Sequence, residues 1–183
     1  MVEYQVESLI AEGAIARRTQ DLAADISAAF ADTDQLLLVG LLRGSFIFIA
    51  DLARQLDLSC EVDFMVVSSY GQGLESSGNV RILKDLDTEI AGRDVLIVED
   101  IVDTGRTLSK VLEMLKLRNP RRIEICTLLN KPSRRTVDLD VRWIGFDVGD
   151  EFVVGYGIDY AQRNRTLPYI GVVKPLAAPP AEG

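Results

Sequence analysis

The chain contains no histidine among its 183 residues. That excludes a Ser-His-Asp or Cys-His nucleophile and any histidine-bearing zinc site. Acid–base chemistry falls instead to carboxylates, lysine or tyrosine, and a bound metal would be a hard cation on oxygen ligands. Cysteine is nearly as scarce. Cys60 and Cys126 stand apart in apolar runs and form no CxxC, as buried reduced thiols of a cytosolic protein do. Long hydrophobic runs are missing too: the most apolar window, residues 36–50, is short for a membrane span and is broken by Arg43, Gly44 and Ser45. Residues 1–12 carry three glutamates and no basic start before an apolar stretch, unlike a signal peptide. A cytoplasmic location with no membrane partner is expected.

Positive charge is in deficit. Twenty Lys and Arg stand against twenty-eight Asp and Glu, a net charge of −8. A field of that sign opposes non-specific nucleic-acid binding, so a phosphate ligand needs a local device such as backbone N–H groups, a few cations or Mg²⁺. A composition of 48% hydrophobic and 26% charged residues is globular. The length suits one domain that buries roughly 70% of its unfolded surface without staples.

Residues 11–31 read as a helix, with Ile15, Thr19, Leu22, Ile26 and Phe30 near one face. Four short, mostly apolar and mostly non-alternating runs, Leu36–Val39, Val62–Val67, Val95–Val98 and Ile123–Leu129, read as parallel strands covered on both faces. Helical stripes lie between them: Phe46, Ile49, Ala50, Ala53 and Leu56, then Leu108, Val111, Leu112 and Leu115. The alternation predicts an α/β doubly wound, mostly parallel sheet flanked by helices, with right-handed crossovers. From Val141 onward no helix is expected, so the last third reads as a smaller appended layer. Leu176–Gly183, rich in Ala and Pro, reads as a flexible tail. Ligands of such a sheet bind at the carboxyl ends of its strands, which narrows the search to residues 40–45, 68–79, 99–107 and 130–135.

The strongest motif is the strand VLIVED followed by Ile101-Val102-Asp103-Thr104-Gly105-Arg106-Thr107. A loop with one glycine, two threonines and a helix amino terminus makes an anion cradle for a single phosphate. Glu99 and Asp100, just before it, suit sugar hydroxyls or Mg²⁺. Together they describe a site for a ribose 5-phosphate. The acidic pair and Lys131-Pro132 also suggest a two-component receiver, but the order is wrong: 94 residues precede Val95, and no strand-end Asp intervenes before Lys131.

Glu-Asp-x-x-Asp-Thr-Gly-x-Thr after a hydrophobic strand resembles the type I phosphoribosyltransferases, within them the hypoxanthine-guanine branch. The resemblance runs from about Leu36 to Pro175 over five separated motifs. It implies a core over about residues 33–140 and a hood built from the amino-terminal segment and about 141–175, giving one domain over 1–175.

Residue by residue, the resemblance assigns Leu42, Arg43 and Gly44 to a pyrophosphate loop entered through a cis peptide. Ser69 and Tyr70 belong to a lid closing over pyrophosphate, and three glycines and four serines over residues 68–79 suit a mobile loop. Glu99, Asp100, Asp103, Thr104, Gly105, Arg106 and Thr107 become the ribose and 5′-phosphate site, Arg106 through its backbone alone. Asp103 becomes the acid–base residue near the purine. Lys131 becomes the donor to a 6-oxo group, which an ammonium favours over an amino group. Phe152 stacks on the base, Val153 meets its edge, and Asp159 joins Glu99 and Asp100 as a metal-linked acid. Arg165 contacts pyrophosphate. Gly149 and Asn164 depart from the family's common proline and aromatic.

The implied activity is Mg²⁺-dependent purine salvage. A 5-phosphoribosyl group passes from 5-phosphoribosyl 1-pyrophosphate to N9 of hypoxanthine and guanine, giving IMP or GMP and pyrophosphate, in a homodimer or homotetramer. The alternatives are a xanthine-guanine specificity and a non-catalytic regulator that senses the same donor and binds nucleic acid. The pairs Arg121-Arg122 and Arg134-Arg135 make a poor basic footprint for the latter.

Overall fold

The computed structural model describes residues 3–69 and 80–176. Tyr70, the rest of the expected lid and the tail beyond Leu176 therefore lie outside the described residues. In chain order the elements are β1 (Tyr4–Ile10), α1 (Glu12–Ala29), β2 (Leu36–Leu42), α2 (Phe46–Gln55), β3 (Cys60–Ser69), β4 (Val80–Lys84), β5 (Asp94–Val102), α3 (Arg106–Lys116), β6 (Arg122–Asn130), β7 (Trp143–Asp147), β8 (Val153–Val154) and β9 (Ile170–Pro175). Six strands form the main sheet in the order β4-β3-β2-β5-β6-β7. Only β4 runs antiparallel, against β3. A second, antiparallel sheet joins the chain ends in the order β1-β9-β8.

The continuous apolar strands are explained by cover on both faces. Leu36, Leu38, Leu96, Val98, Cys126 and Leu128 turn to one side, against Ile15, Leu22 and Ile26 of α1 and Phe48 and Leu52 of α2. Their neighbours Leu37, Val39, Val95, Ile97 and Ile125 turn to the other, against Leu108, Val111 and Leu115 of α3. Each fully buried side chain of this size contributes about 1.5–3 kcal/mol. A one-residue slip would exchange the two sets, so register is firmly fixed. Val153, Tyr156, Ile158 and Ile170 join the first layer and bind the small sheet to the main body.

Three details differ from expectation. In α2 the buried residues are Phe48, Ile49 and Leu52, while Phe46 is 41% exposed and Ala50 is exposed. The run FIFIA is apolar all round, so periodicity does not set its phase. The entry does, where Ser45 Oγ donates to the Leu41 carbonyl at 2.6 Å. Second, β5 continues through Glu99 and Asp100 to Val102, because β6 supplies paired backbone as far as Asn130. Third, α1 spans Glu12–Ala29, with Phe30 as its C-cap. Among the described residues no helix is long and apolar enough to cross a membrane.

Candidate active site

The chain passes from β2 to β3 on one side and resumes with β5 on the other, so the winding reverses between β2 and β5. Open α/β sheets bind ligands at the carboxyl end of that switch point. A cleft of about 310 Å³ lies there, lined by Leu41–Gly44 at the end of β2 and just beyond it, by Glu99–Gly105, and by Val67, Thr107 and Leu108.

The β2 wall turns through a cis peptide bond between Leu42 and Arg43, where the resemblance places one. Gly44 is pressed against the β5 wall: a Cβ there would come within 1.5 Å of Asp100 Oδ2. Its carbonyl faces Gly157, whose own Cβ would meet it at 2.0 Å. Gly157 has φ +103°, a conformation only glycine adopts readily. The loop that follows β8 thus reaches the expected pyrophosphate loop through a backbone-to-backbone contact.

The β5 wall carries two carboxylates, Glu99 and Asp100, that form no ion pair among the described residues. Burial pushes Glu99 well above the usual carboxylate range, with the Asp100 charge adding to the effect. Among the described residues Glu99 Oε2 is sealed from solvent and has no hydrogen-bond partner. Burial also pushes Asp100 up to about 6; backbone N–H groups and Arg165 oppose this, and Asp159 reinforces it. Asp100 Oδ1 accepts from the Ile101 N–H at 2.8 Å. Among the described residues no three acidic or thiol side chains gather closely enough to hold a metal by themselves. An orphaned carboxylate oxygen beside a second buried carboxylate fits a hard divalent cation that takes its other ligands from substrate oxygens and water.

Past the acids, Gly105 adopts φ +80° and α3 begins. An α-helix leaves its first N–H groups without intrahelical acceptors, so the start of α3 turns a positive dipole end towards the cleft that Gly105 and Thr107 line. The Arg106 N–H meets Thr104 Oγ1 at 3.4 Å, and its guanidinium donates to Thr136 Oγ1 at 3.0 Å. Asp103 is paired with Arg134 Nε at 3.1 Å, and the same nitrogen reaches Asp150 at 3.3 Å.

The expected base-binding residues lie beyond the cleft lining but close to one another. Lys131 is only 7% exposed and donates from Nζ to the Glu151 carbonyl at 2.7 Å. The next residue, Phe152, is 53% exposed, with its ring edge-on to Tyr160 at 5.2 Å. Val153 is buried in β8, paired with Val172. Arg165 donates to the Gly157 carbonyl at 2.8 Å and pairs with Asp159 at 2.7 Å. The main chain of Ser69 ends β3, paired with Val80. Asn164, with φ 69°, donates to the Tyr4 hydroxyl at 2.9 Å and so ties the loop to β1.

Sequence reasoning missed two participants. Gln162 Oε1 accepts from both Arg43 and Arg165 at 3.1 Å, joining the two arginines of the expected pyrophosphate site. Its position depends on a left-handed backbone, φ 64°, for which a glutamine gives no signal. Arg134 was visible only as half of a basic pair, since its carboxylate partners are distant in sequence.

With this geometry in place, the comparisons are specific. A family profile described as a phosphoribosyl transferase domain matches residues 5–161. The chain is 57% identical over 173 residues to the hypoxanthine phosphoribosyltransferase of Escherichia coli K12, covering 94% of this chain and 97% of that protein. It is 49% identical over 176 residues to the hypoxanthine-guanine phosphoribosyltransferase of Bacillus subtilis, covering 96% and 97%. The crystal structure of a Staphylococcus aureus hypoxanthine phosphoribosyltransferase superposes with a TM-score of 0.88 at 44% identity, over 92% of this chain and 91% of that one.

Proposed function

The chain belongs to the phosphoribosyltransferase family, and from that premise we propose that it performs purine salvage on 6-oxopurines, hypoxanthine and guanine. The donor is 5-phosphoribosyl 1-pyrophosphate. N9 of the base forms a bond to C1 of the ribose, the C1–O bond to pyrophosphate breaks, and the base gives up a proton. The products are the nucleoside 5′-monophosphate and pyrophosphate. We read the enzyme as a cytoplasmic homo-oligomer that binds neither nucleic acid nor membrane.

One observation carries this reading: two half-buried carboxylates, Glu99 and Asp100, which form no ion pair among the described residues, open at the switch point directly onto the anion loop 103–107. A diol or cation site beside a phosphate site is what a ribose 5-phosphate needs. Residues 104–107 hold the 5′-phosphate on backbone N–H groups and threonine hydroxyls. Arg43 and Arg165, bridged by Gln162, face the leaving pyrophosphate, whose charge grows in the transition state. Asp103 accepts the purine proton, exchanging its Arg134 contact for the base. Phe152 and Lys131 hold the base in line, so positioning supplies much of the rate. Mg²⁺, held by Glu99 and Asp100 with Asp159 nearby, supplies charge neutralisation when bound.

The test is pyrophosphate release from the donor with Mg²⁺, run in parallel with hypoxanthine, guanine, xanthine and adenine, with Asp103→Asn as the control. Turnover with hypoxanthine and guanine, none with adenine, and a loss of 10²–10⁴-fold in the control are expected, the usual range for a general base. Silence with all four bases despite tight donor binding would sink the reading.

A further inference from the structure

Beneath the anion loop lies a cation that no role above employs. Arg135 follows the 3-10 turn Pro132–Arg134 and runs back under Gly105. A Cβ added at Gly105 would meet Arg135 Cδ at 3.1 Å and Nη1 at 3.4 Å, with Val137 Cγ2 also at 3.1 Å. A side chain there would crowd Arg135 and Val137, and the φ of +80° independently favours glycine. The loop rests on Arg135 and is tied to the same segment by the Thr136 N–H, which donates to the Thr104 carbonyl at 3.1 Å.

The charge of Arg135 is poorly compensated. Among the described residues it forms no ion pair, whereas its neighbour Arg134 has two carboxylates. Among the same residues the guanidinium makes one hydrogen bond, from Nη2 to the neutral amide oxygen of Asn130. Its Nε is sealed from solvent without an acceptor. Asn130 is itself buried and fixed, donating to Asp147 Oδ1 at 2.7 Å, so this neutral contact is built rather than incidental. Burial destabilises the charged guanidinium, and the more distant Asp103 only partly offsets that. Arginine does not lose its proton at such sites. Leaving a half-buried positive charge without a carboxylate costs stability, which makes sense if an anion arrives to complete it.

We propose that Arg135 is a phosphate-binding residue of the second layer: lying under Gly105 with no carboxylate of its own, its guanidinium supplies positive charge through the thin glycine backbone to the 5′-phosphate seated on residues 104–107. A chain with net charge −8 has particular use for such a local cation, since its overall field repels a phosphate dianion. A carboxylate at Asn130 would neutralise the guanidinium; the amide holds it in place and leaves its field intact.

This inference rests on the reading of residues 104–107 as the 5′-phosphate site, and the experiment separates the two. Equilibrium binding of IMP and of inosine, which lacks only the phosphate, is measured by calorimetry for the parent protein, Arg135→Gln, Arg135→Met and Arg135→Lys. Failure of the parent to prefer IMP over inosine would overturn the phosphate-site reading itself. Given that preference, both neutral variants are expected to lose about tenfold in IMP affinity, which is 1.4 kcal/mol, with inosine affinity unchanged and Arg135→Lys retaining most of the preference. Met fills the stem volume and provides the same comparison should Gln fail to fold. A purely structural role would weaken both ligands alike and leave their ratio unmoved. An unchanged IMP-to-inosine ratio in a folded neutral variant overturns the proposal.

Discussion

Lys131 and Glu151 are joined by a hydrogen bond from ammonium to main-chain carbonyl, 2.7 Å long, immediately before the exposed ring of Phe152. The Phe152 carbonyl in turn accepts from the Val173 N–H at 2.9 Å. The donor expected to read the base and the ring expected to stack on it are therefore set by one strap anchored to β9. An ammonium has three donors, so the Glu151 contact leaves two for a ligand.

Replacing Lys131 with Met tests that arrangement. A hydrogen bond from a charged donor is worth about 1.5–3 kcal/mol, so kcat/KM for hypoxanthine should fall about 10- to 150-fold, mainly through KM for the base. KM for 5-phosphoribosyl 1-pyrophosphate should move little. Steady-state kinetics with each substrate varied in turn provides the check. An unchanged KM for the base would remove Lys131 from the base site.

How far this was legible from the sequence depends on the element. The strands at Val62 and Ile123 were legible as mostly apolar runs interrupted by Asp63 in one and by Glu124 and Thr127 in the other; those at Leu36 and Val95 were legible because cover on both faces makes each an unbroken apolar run. Phe46 was misplaced on the core face for the same reason: in FIFIA every phase is apolar. The strand Val80–Lys84 gave no firm sign, since an edge strand with alternating exposure and two basic residues resembles a loop. In the site, Asp103, Lys131 and Arg165 stood out by motif. Gln162 and Arg135 are brought to the site by contacts that the chain makes only once folded, one through a left-handed turn and the other against Gly105.

Asp100 leads to a pH-dependent expectation. Burial raises its carboxyl from an ordinary 3.8 to about 6, so the folded state holds the proton more tightly than the unfolded chain does. No penalty exists below pH 3.8; it grows as pH rises towards 6 and is complete above that. Asp100→Asn should therefore stabilise the metal-free protein at pH 7.5 by about 1–2 kcal/mol, a figure reduced because the group borders an open cleft. The gain should shrink at pH 4.5, and turnover should fall. Thermal unfolding of both proteins at the two pH values decides it; equal Tm values at pH 7.5 would mean that the carboxylate is not strained by burial.

Asp94 shows the opposite sign, far from the cleft. The guanidinium of Arg121 first, with Arg122 and the Thr33 hydroxyl, holds its buried carboxyl well below the usual range. A depressed folded pKa contributes stability above the ordinary carboxylate value and loses it as pH falls below about 4. Asp94→Asn should cost about 2–3 kcal/mol at pH 7, less than a fully enclosed pair because both arginines reach solvent. The difference from the parent should narrow steadily below pH 4. Urea unfolding from pH 7 to pH 3 measures it, and a constant difference would exclude the ionised carboxylate as its source.

Gly157 links the small sheet to the chemistry and gives the sharpest separation of folding from function. Its N–H donates to the Arg165 carbonyl at 2.9 Å, and its carbonyl accepts from Arg165 Nη1 at 2.8 Å. Its Cα faces the Gly44 carbonyl, where an added methyl would sit at 2.0 Å. Gly157→Ala must therefore tolerate a positive φ, at about 1–3 kcal/mol, and also push the Leu42–Gly44 loop, proposed to meet pyrophosphate, away from Arg165. Tm should drop by several degrees. KM for 5-phosphoribosyl 1-pyrophosphate should rise about tenfold, because the loop and the arginine no longer meet the same ligand, while KM for hypoxanthine changes far less. A fall in Tm with both KM values unchanged would show that the Gly44–Gly157 contact serves folding alone. A selective rise in the donor's KM would show that the small sheet sets the position of the pyrophosphate loop.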